Sequence, residues 1–152
     1  MPLRDRLNDD LKSAMRAKDA KRLSVIRGIK AAILQVETRG ERTTLGDEGI
    51  LEVIVKEVKE RRDSMDEFER AGRTELVEKL AQEIQLLEQY LPEPLSEPAL
   101  EQLVHEAIQA TAAQGPKDIG RVMGWLLPRT RGRADGSKVS ETVKKALQSQ
   151  AG

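Results

Sequence analysis

The stretch Thr74–Pro98, TELVEKLAQEIQLLEQYLPEPLSEP, decides the fold. Leu76, Leu80, Ile84, Leu87 and Leu91 recur at intervals of three or four residues, the period that gathers side chains on one face of an α-helix. Thr74 reads as the N-cap of that helix. Pro92, Pro94 and Pro98 then end it, because proline lacks the amide that a helix interior needs.

The same period runs upstream. Leu3, Leu7, Leu11 and Met15 form a first stripe, and Asp19 reads as the cap of a second helix carrying Leu23, Ile26, Ile29, Ile33 and Val36. Arg39–Arg42 opens a polar loop. A long third helix follows from Asp47 with Ile50, Ile54, Val58, Arg61, Met65 and Phe68 in register, and Gly72 reads as its stop. Downstream of the prolines, Ser96 heads a helix bearing Leu100, Leu103, Val104, Ala107, Ile108 and Thr111, which Gly115 and Pro116 terminate. Asp118 reads as the cap of the next, with Ile119, Val122, Met123 and Leu126 on one face. A last helix from Asp135 or Ser137 presents Val139, Val143 and Leu147. No alternation of period two competes, so the sequence predicts an all-α protein: a four-helix unit over residues 1–91 and a three-helix tail over 96–152.

Composition agrees with a folded chain. The 152 residues are 38% apolar without the eleven glycines, and about 45% with them, the ordinary globular range. Cysteine is absent, which excludes disulfides, a thiolate nucleophile and iron–sulfur ligation. The charged N-terminus is unlike a signal peptide, and no apolar run approaches the ~18 residues of a membrane span. These features together predict a soluble, cytoplasmic protein.

Neutral overall, the chain is polarised along its length. Residues 1–42 carry a net charge of +5, residues 43–106 of −10, and residues 107–152 of +5. A polyanion would be repelled by the middle and attracted by the ends. The only aromatics are Phe68, Tyr90 and Trp125, too few for a platform on which single-stranded bases stack.

The usual catalytic arrangements are missing. His105 is the single imidazole, without a serine in a nucleophile turn. Zinc needs at least three nitrogen or sulfur ligands, so no metal site is expected. Pairs such as Asp66 with Glu67, or Glu57 with Glu60, read as solvated helix faces, and no glycine-rich phosphate loop occurs. No cofactor and no catalytic residue are expected.

The most informative stretch for function is Lys117–Val139, KDIGRVMGWLLPRTRGRADGSKV. Gly120 and Gly124 share a helix face, and glycine costs roughly 1 kcal/mol against alanine in a helix interior. The first expected compensation is close approach of a neighbouring helix; the second is approach of a ligand backbone. Trp125 falls between the glycine face and the apolar face. Arg129, Arg131 and Arg133 alternate around Gly132, and in an extended segment period two would point all three to one side across roughly 13 Å, enough to touch successive phosphates. Lys117, Arg121 and Lys138 would join them, while the carboxylate of Asp135 caps the last helix.

With YLPEPLSEPAL and KEVKERRDSMDEFERAGRTEL upstream, this stretch is similar to the YqeY family over essentially the whole chain. The C-terminal unit resembles the tail domain of GatB, the B subunit of the glutamine-dependent aminoacyl-tRNA amidotransferase. The resemblance implies two all-α domains. It also implies tRNA as a partner of the tail, through the helix Gly120–Gly124 and the loop Gly132, Arg133, Ala134 and Asp135. Carbon–nitrogen ligation with glutamine as donor belongs to a separate amidotransferase domain that has no counterpart here. The expectation is therefore a non-catalytic tRNA-binding accessory protein, with an amidotransferase as a further protein partner. The alternative is a helical adaptor without RNA binding, docking through the acidic middle or the small tail.

Overall fold

The computed structural model describes residues 1–151, the side chain of Ala151 excepted; Gly152, the last residue of the expected tail, lies outside the described residues. The chain is all-α, as its periodicity predicts. The helices are α1 (Leu3–Ala17), α2 (Ala20–Thr38), α3 (Asp47–Arg70), α4 (Thr74–Glu88), α5 (Glu97–Thr111), α6 (Ile119–Thr130) and α7 (Gly136–Ala151), with a 3-10 turn at Pro116–Asp118 and no strand among the described residues. None of these helices is long and apolar enough to cross a membrane. Two compact units, Met1–Leu91 and Pro92–Gly152, make up the chain.

The first unit is organised around an aliphatic core in which Leu7, Ile29, Ile50, Ile54 and Leu87 are fully buried. Each such side chain contributes about 1.5–3 kcal/mol through burial. The α1–α2 turn passes through Lys18 in the left-handed region (φ 54°), and the Asp19 carboxylate then accepts the Arg22 amide at 3.2 Å to start α2. Arg4 pairs with Glu37, and Lys30 donates to Asn8, so the two helices run antiparallel. Glu37 also accepts the Leu45 amide at 2.8 Å, fixing the polar loop against the end of α2. That amide, against the cost of burial, and the Arg4 guanidinium hold the Glu37 carboxyl below its usual range.

Two stripe residues depart from the expected core. Met15 is 53% exposed and Val36 is 39% exposed, while Ala14 is fully buried. A strict four-residue spacing drifts about 40° per step around a helix of 3.6 residues per turn, so Leu3, Leu7 and Leu11 rotate the fourth member out of the core. α3 does end at Gly72, whose φ of +71° suits glycine alone without strain. The cap of α4 differs from expectation: Arg73 occupies the N-cap position, Thr74 is the first helical residue, and no side chain caps the helix. The left-handed turn at Gly72 brings the chain in one residue early.

At the end of α4, Tyr90 fastens the unit. Its hydroxyl donates to the Asp10 carboxylate at 2.5 Å, the Arg6 guanidinium lies 4.7 Å from the ring centroid, and Arg6 also donates to the Gln89 carbonyl at 2.8 Å. Burial first, and then Asp10, push the Tyr90 phenol well above its ordinary pKa.

The second unit packs α5, α6 and α7 around Val104, Val122, Leu126, Val139, Val143 and Leu147. Ser96 caps α5 by accepting the Ala99 amide at 3.2 Å. Termination of α5 comes earlier than Gly115 and Pro116, at Ala112, which is left-handed with φ 54°. The proline-rich segment is bonded to the α6–α7 turn: the Leu95 amide donates to the Arg133 carbonyl at 2.8 Å, and Arg133 Nε donates to the Glu93 carbonyl at 3.0 Å.

Tyr90 is the single tyrosine, which makes its bond directly measurable. Ultraviolet titration is expected to show no tyrosinate near pH 10 while the protein is folded. Because the folded pKa is raised, the stabilisation is complete below the ordinary phenol pKa and is lost as pH rises towards the folded value. Tyr90→Phe is expected to lower the unfolding free energy by about 1.5–3 kcal/mol, since it strands a charged acceptor. Denaturant titration of the two proteins measures the difference.

Candidate nucleic-acid interface

The face of α6 opposite its core is almost without side chains. Val122, Leu126 and Thr130 are buried, and the helical period turns Gly120, Arg121, Gly124 and Pro128 to the other side. All four are exposed. A Cβ added at Gly120 or Gly124 would meet no atom within 4 Å. The expected approach of a neighbouring helix is thus not what these glycines serve in this fold: the helices that pack on α6 do so on its apolar face.

Pro128 adds a second property. Lacking an amide, it has none to donate to the carbonyl of Gly124, its ladder partner four residues back. The bare face therefore presents a backbone acceptor between two glycines and a flat proline ring. Leu127, 41% exposed, borders it on one side. On the other lies Arg121, followed by Trp125 and Arg129.

The basic side chains have defined places. Arg121 pairs with Asp118 at 3.1 Å and donates to the Thr111 carbonyl at 3.0 Å, linking α6 to the end of α5. Arg129 stacks 3.7 Å from the Trp125 ring centroid and donates to the Trp125 carbonyl at 2.6 Å. Trp125 itself is half-buried against the core, so it serves packing and guanidinium support together. Lys138 forms an ion pair with Glu97 at 3.0 Å, and this glutamate raises the lysine pKa. Lys117 is exposed on the 3-10 turn ahead of α6.

The expected extended arginine segment is corrected by the structure. α6 continues through Pro128 to Thr130, because a proline in the last turn forfeits only one ladder bond and the Thr130 hydroxyl donates to the Leu126 carbonyl at 3.2 Å. A tight turn follows, with Gly132 at φ +76° and the amides of Arg133 and Ala134 both donating to the Thr130 carbonyl. Arg129 therefore sits on a helix, Arg131 at its C-cap and Arg133 in a turn, and the three do not form one row. Asp118 also departs from expectation. Its carboxylate accepts the Gln114 amide at 2.8 Å instead of capping α6, since the 3-10 turn runs directly into the helix. That amide first, and Arg121 second, hold the Asp118 carboxyl below its usual range. Asp135 caps α7, accepting the Ser137 amide at 3.3 Å.

Charge divides within the unit. Glu97, Glu101 and Glu106 belong to α5, which carries no basic residue, whereas the basic residues belong to the 3-10 turn, α6, the turn after it and α7. Among the described residues no group of three or more His, Asp and Glu side chains could hold a metal ion. What the sequence could not show is the Arg129–Trp125 stack, although their spacing of four residues permits it.

Fold and surface together describe a small all-helical protein of two units, the second of which offers a side-chain-free helix face bordered by guanidinium groups. The chain belongs to the YqeY family: a family profile described as "Yqey-like protein" matches residues 4–147. Among curated proteins it is similar to "Altered inheritance of mitochondria protein 41, mitochondrial" of Pyrenophora tritici-repentis, at 34% identity over 93% of this chain and 79% of that one. The protein of the same name in Lachancea thermotolerans is 29% identical over 90% of this chain and 76% of its own length. In Kluyveromyces lactis the corresponding figures are 40%, 55% and 45%. These names correct the cytoplasmic expectation, because the relatives are mitochondrial by name. A lack of cysteine rules out disulfides without selecting a compartment.

Gly124→Ala is expected to stabilise the protein by up to ~1 kcal/mol, through helix propensity with no steric opposition; Gly120→Ala, in the first turn, gains less. Thermal unfolding followed by circular dichroism tests both.

Proposed function

We propose that the protein is a non-catalytic tRNA-binding accessory factor whose second unit contacts RNA through α6. The observation that carries this reading is the bare face of Gly120, Gly124 and Pro128 beside exposed cations. A polynucleotide backbone is a broad, rigid, anionic surface, and a helix face without side chains lets it approach the protein backbone closely. The Gly124 carbonyl is an acceptor, and a ribose 2′-hydroxyl is a donor that DNA lacks. Lys117, ahead of α6, and Arg129, in its last turn, then meet phosphates at the two ends of the helix. Arg129 is well suited to this because its stack on Trp125 holds the guanidinium before the ligand arrives.

Recognition of this kind reads shape and sugar rather than base sequence, consistent with the scarcity of aromatics. The acidic residues of α5 repel the same ligand and restrict it to the α6 side. Any amidotransferase is then a protein partner that supplies the chemistry, while this chain supplies positioning groups.

The test is tRNA binding measured across salt concentrations. Replacing Lys117 and Arg129 with alanine is expected to flatten the slope of log affinity against log salt by about 1.4 to 1.8 units, the value for two lost phosphate contacts. Gly124→Ala is expected to weaken tRNA binding while stabilising the fold, and to narrow the preference for RNA over DNA of the same sequence. Equal affinity and equal slope in folded wild-type and variant proteins would reject the reading.

A further inference from the structure

In the first unit the large exposed apolar side chains belong to the α1–α2 hairpin, where Leu34 borders a groove and Val36, two residues on, turns to the other side of α2. Among the described residues, its large exposed hydrophobics beyond Met1 are Met15 at 53%, Leu34 at 58% and Val36 at 39%, all on α1 and α2. Helices α3 and α4 expose none. A groove of about 310 Å³ runs between α1 and α2, floored by Leu7 and Ile33, walled by Ala31 and Leu34, with Arg4 and Lys30 at its rim.

The groove has a direction. Arg4 bridges to Glu37 at one end and Lys30 bridges to Asn8 further along. Continuing the helical register along the same line brings Met15 on α1 and Arg27 on α2 to the far end. Lys12 lies beside Met15, and neither Lys12 nor Arg27 makes an ion pair among the described residues. The acid in the groove, Glu37, is already matched by Arg4 and the Leu45 amide. Asp5 and Asp9 lie on the outer side of α1 next to Lys12, whereas Arg27 and Lys30 face the groove from α2 without an acid beside them on that helix. The surface therefore combines an apolar trough with an unmatched cationic end.

We propose that this groove docks an amphipathic helix of a partner protein, one with apolar side chains along its buried stripe and acidic residues on its flank. Three physical points select this occupant. The recessed floor is reached by side chains projecting from a helix at three- and four-residue intervals, whereas a bilayer is too flat to fill it. A nucleic-acid phosphate would pair with the rim cations but leave the apolar floor of Leu7 and Ile33 uncovered by any apolar group. The cations at Lys12, Arg27 and Lys30 complement acidic flanks and disfavour basic ones. This surface is on the first unit and stands apart from the RNA reading of the second.

The experiment uses the full chain and a fluorescein-labelled amphipathic helical peptide, with leucines spaced to form one stripe and glutamates on its flanks. The peptide is expected to bind in a salt-sensitive manner, and its counterpart with lysine for every glutamate is expected to bind at least about tenfold more weakly. Leu34→Asp is expected to weaken binding about tenfold, the equivalent of ~1.4 kcal/mol. Arg27→Glu is expected to weaken the acidic peptide and strengthen the basic one, a reversal that general destabilisation would not produce. Both substitutions are at exposed positions, so circular dichroism melting and tRNA affinity should be unchanged. Absence of acidic-peptide binding, equal binding of the two peptides, or indifference to Leu34→Asp overturns the proposal. So does sedimentation with phosphatidylglycerol vesicles, or self-association in ultracentrifugation, that Leu34→Asp abolishes.

Discussion

Burial of one narrow aliphatic stripe per helix is the constraint on which the rest of the structure depends. With three aromatics in the chain, its cores are built from Leu, Ile, Val and Ala, and close packing is achieved by bringing helix axes together rather than by filling space with rings. Each helix then commits little more than a third of its circumference to the core. The remaining surface is free to be polar, bare or apolar, and that freedom is where α2 and α6 differ from their neighbours. Exposed apolar side chains on the α1–α2 hairpin and absent side chains on α6 are departures from the charged outer faces found on α3 and α4.

Helix α6 is costly by local criteria. Gly124 weakens its middle, Pro128 removes a bond from its last turn, and the resulting acceptor faces solvent. The second unit has about 60 residues, a size at which burial leaves a small net stability. A helix built only to hold this core together would carry alanine at both glycine positions, since no atom stands in the way. The internal compensation that the sequence invited, a helix packed against the glycines, is missing. An interaction outside the chain is the remaining physical compensation, as the RNA proposal requires.

Features set by neighbouring residues were legible in the sequence. Asp19 and Ser96 cap their helices, Gly72 ends α3, and the stripes of Ile26, Ile29 and Ile33 or of Val139, Val143 and Leu147 lie in the cores. What eluded the sequence depends on small angles or on partners distant in the chain. Met15 leaves the core through accumulated rotation. The arginine segment is not extended because Thr130, Gly132 and Arg133 close a turn that also holds Glu93 and Leu95. Asp118 is drawn away from capping by an amide four residues before it. Compartment was not legible at all, since neither an absence of cysteine nor a charged N-terminus distinguishes one reducing environment from another.

The two proposed surfaces obey different physics, and this matters for how one small protein would serve both. RNA contact through α6, as proposed, would be dominated by phosphate neutralisation and would weaken steeply with salt. Contact through the α1–α2 groove would combine apolar burial with a few charges, so salt would weaken it without removing its apolar part. A partner helix bound at the groove would survive conditions that release RNA. If both proposals hold, a protein arranged in this way would keep its protein partner while exchanging its RNA, because only the RNA contact rests chiefly on charge.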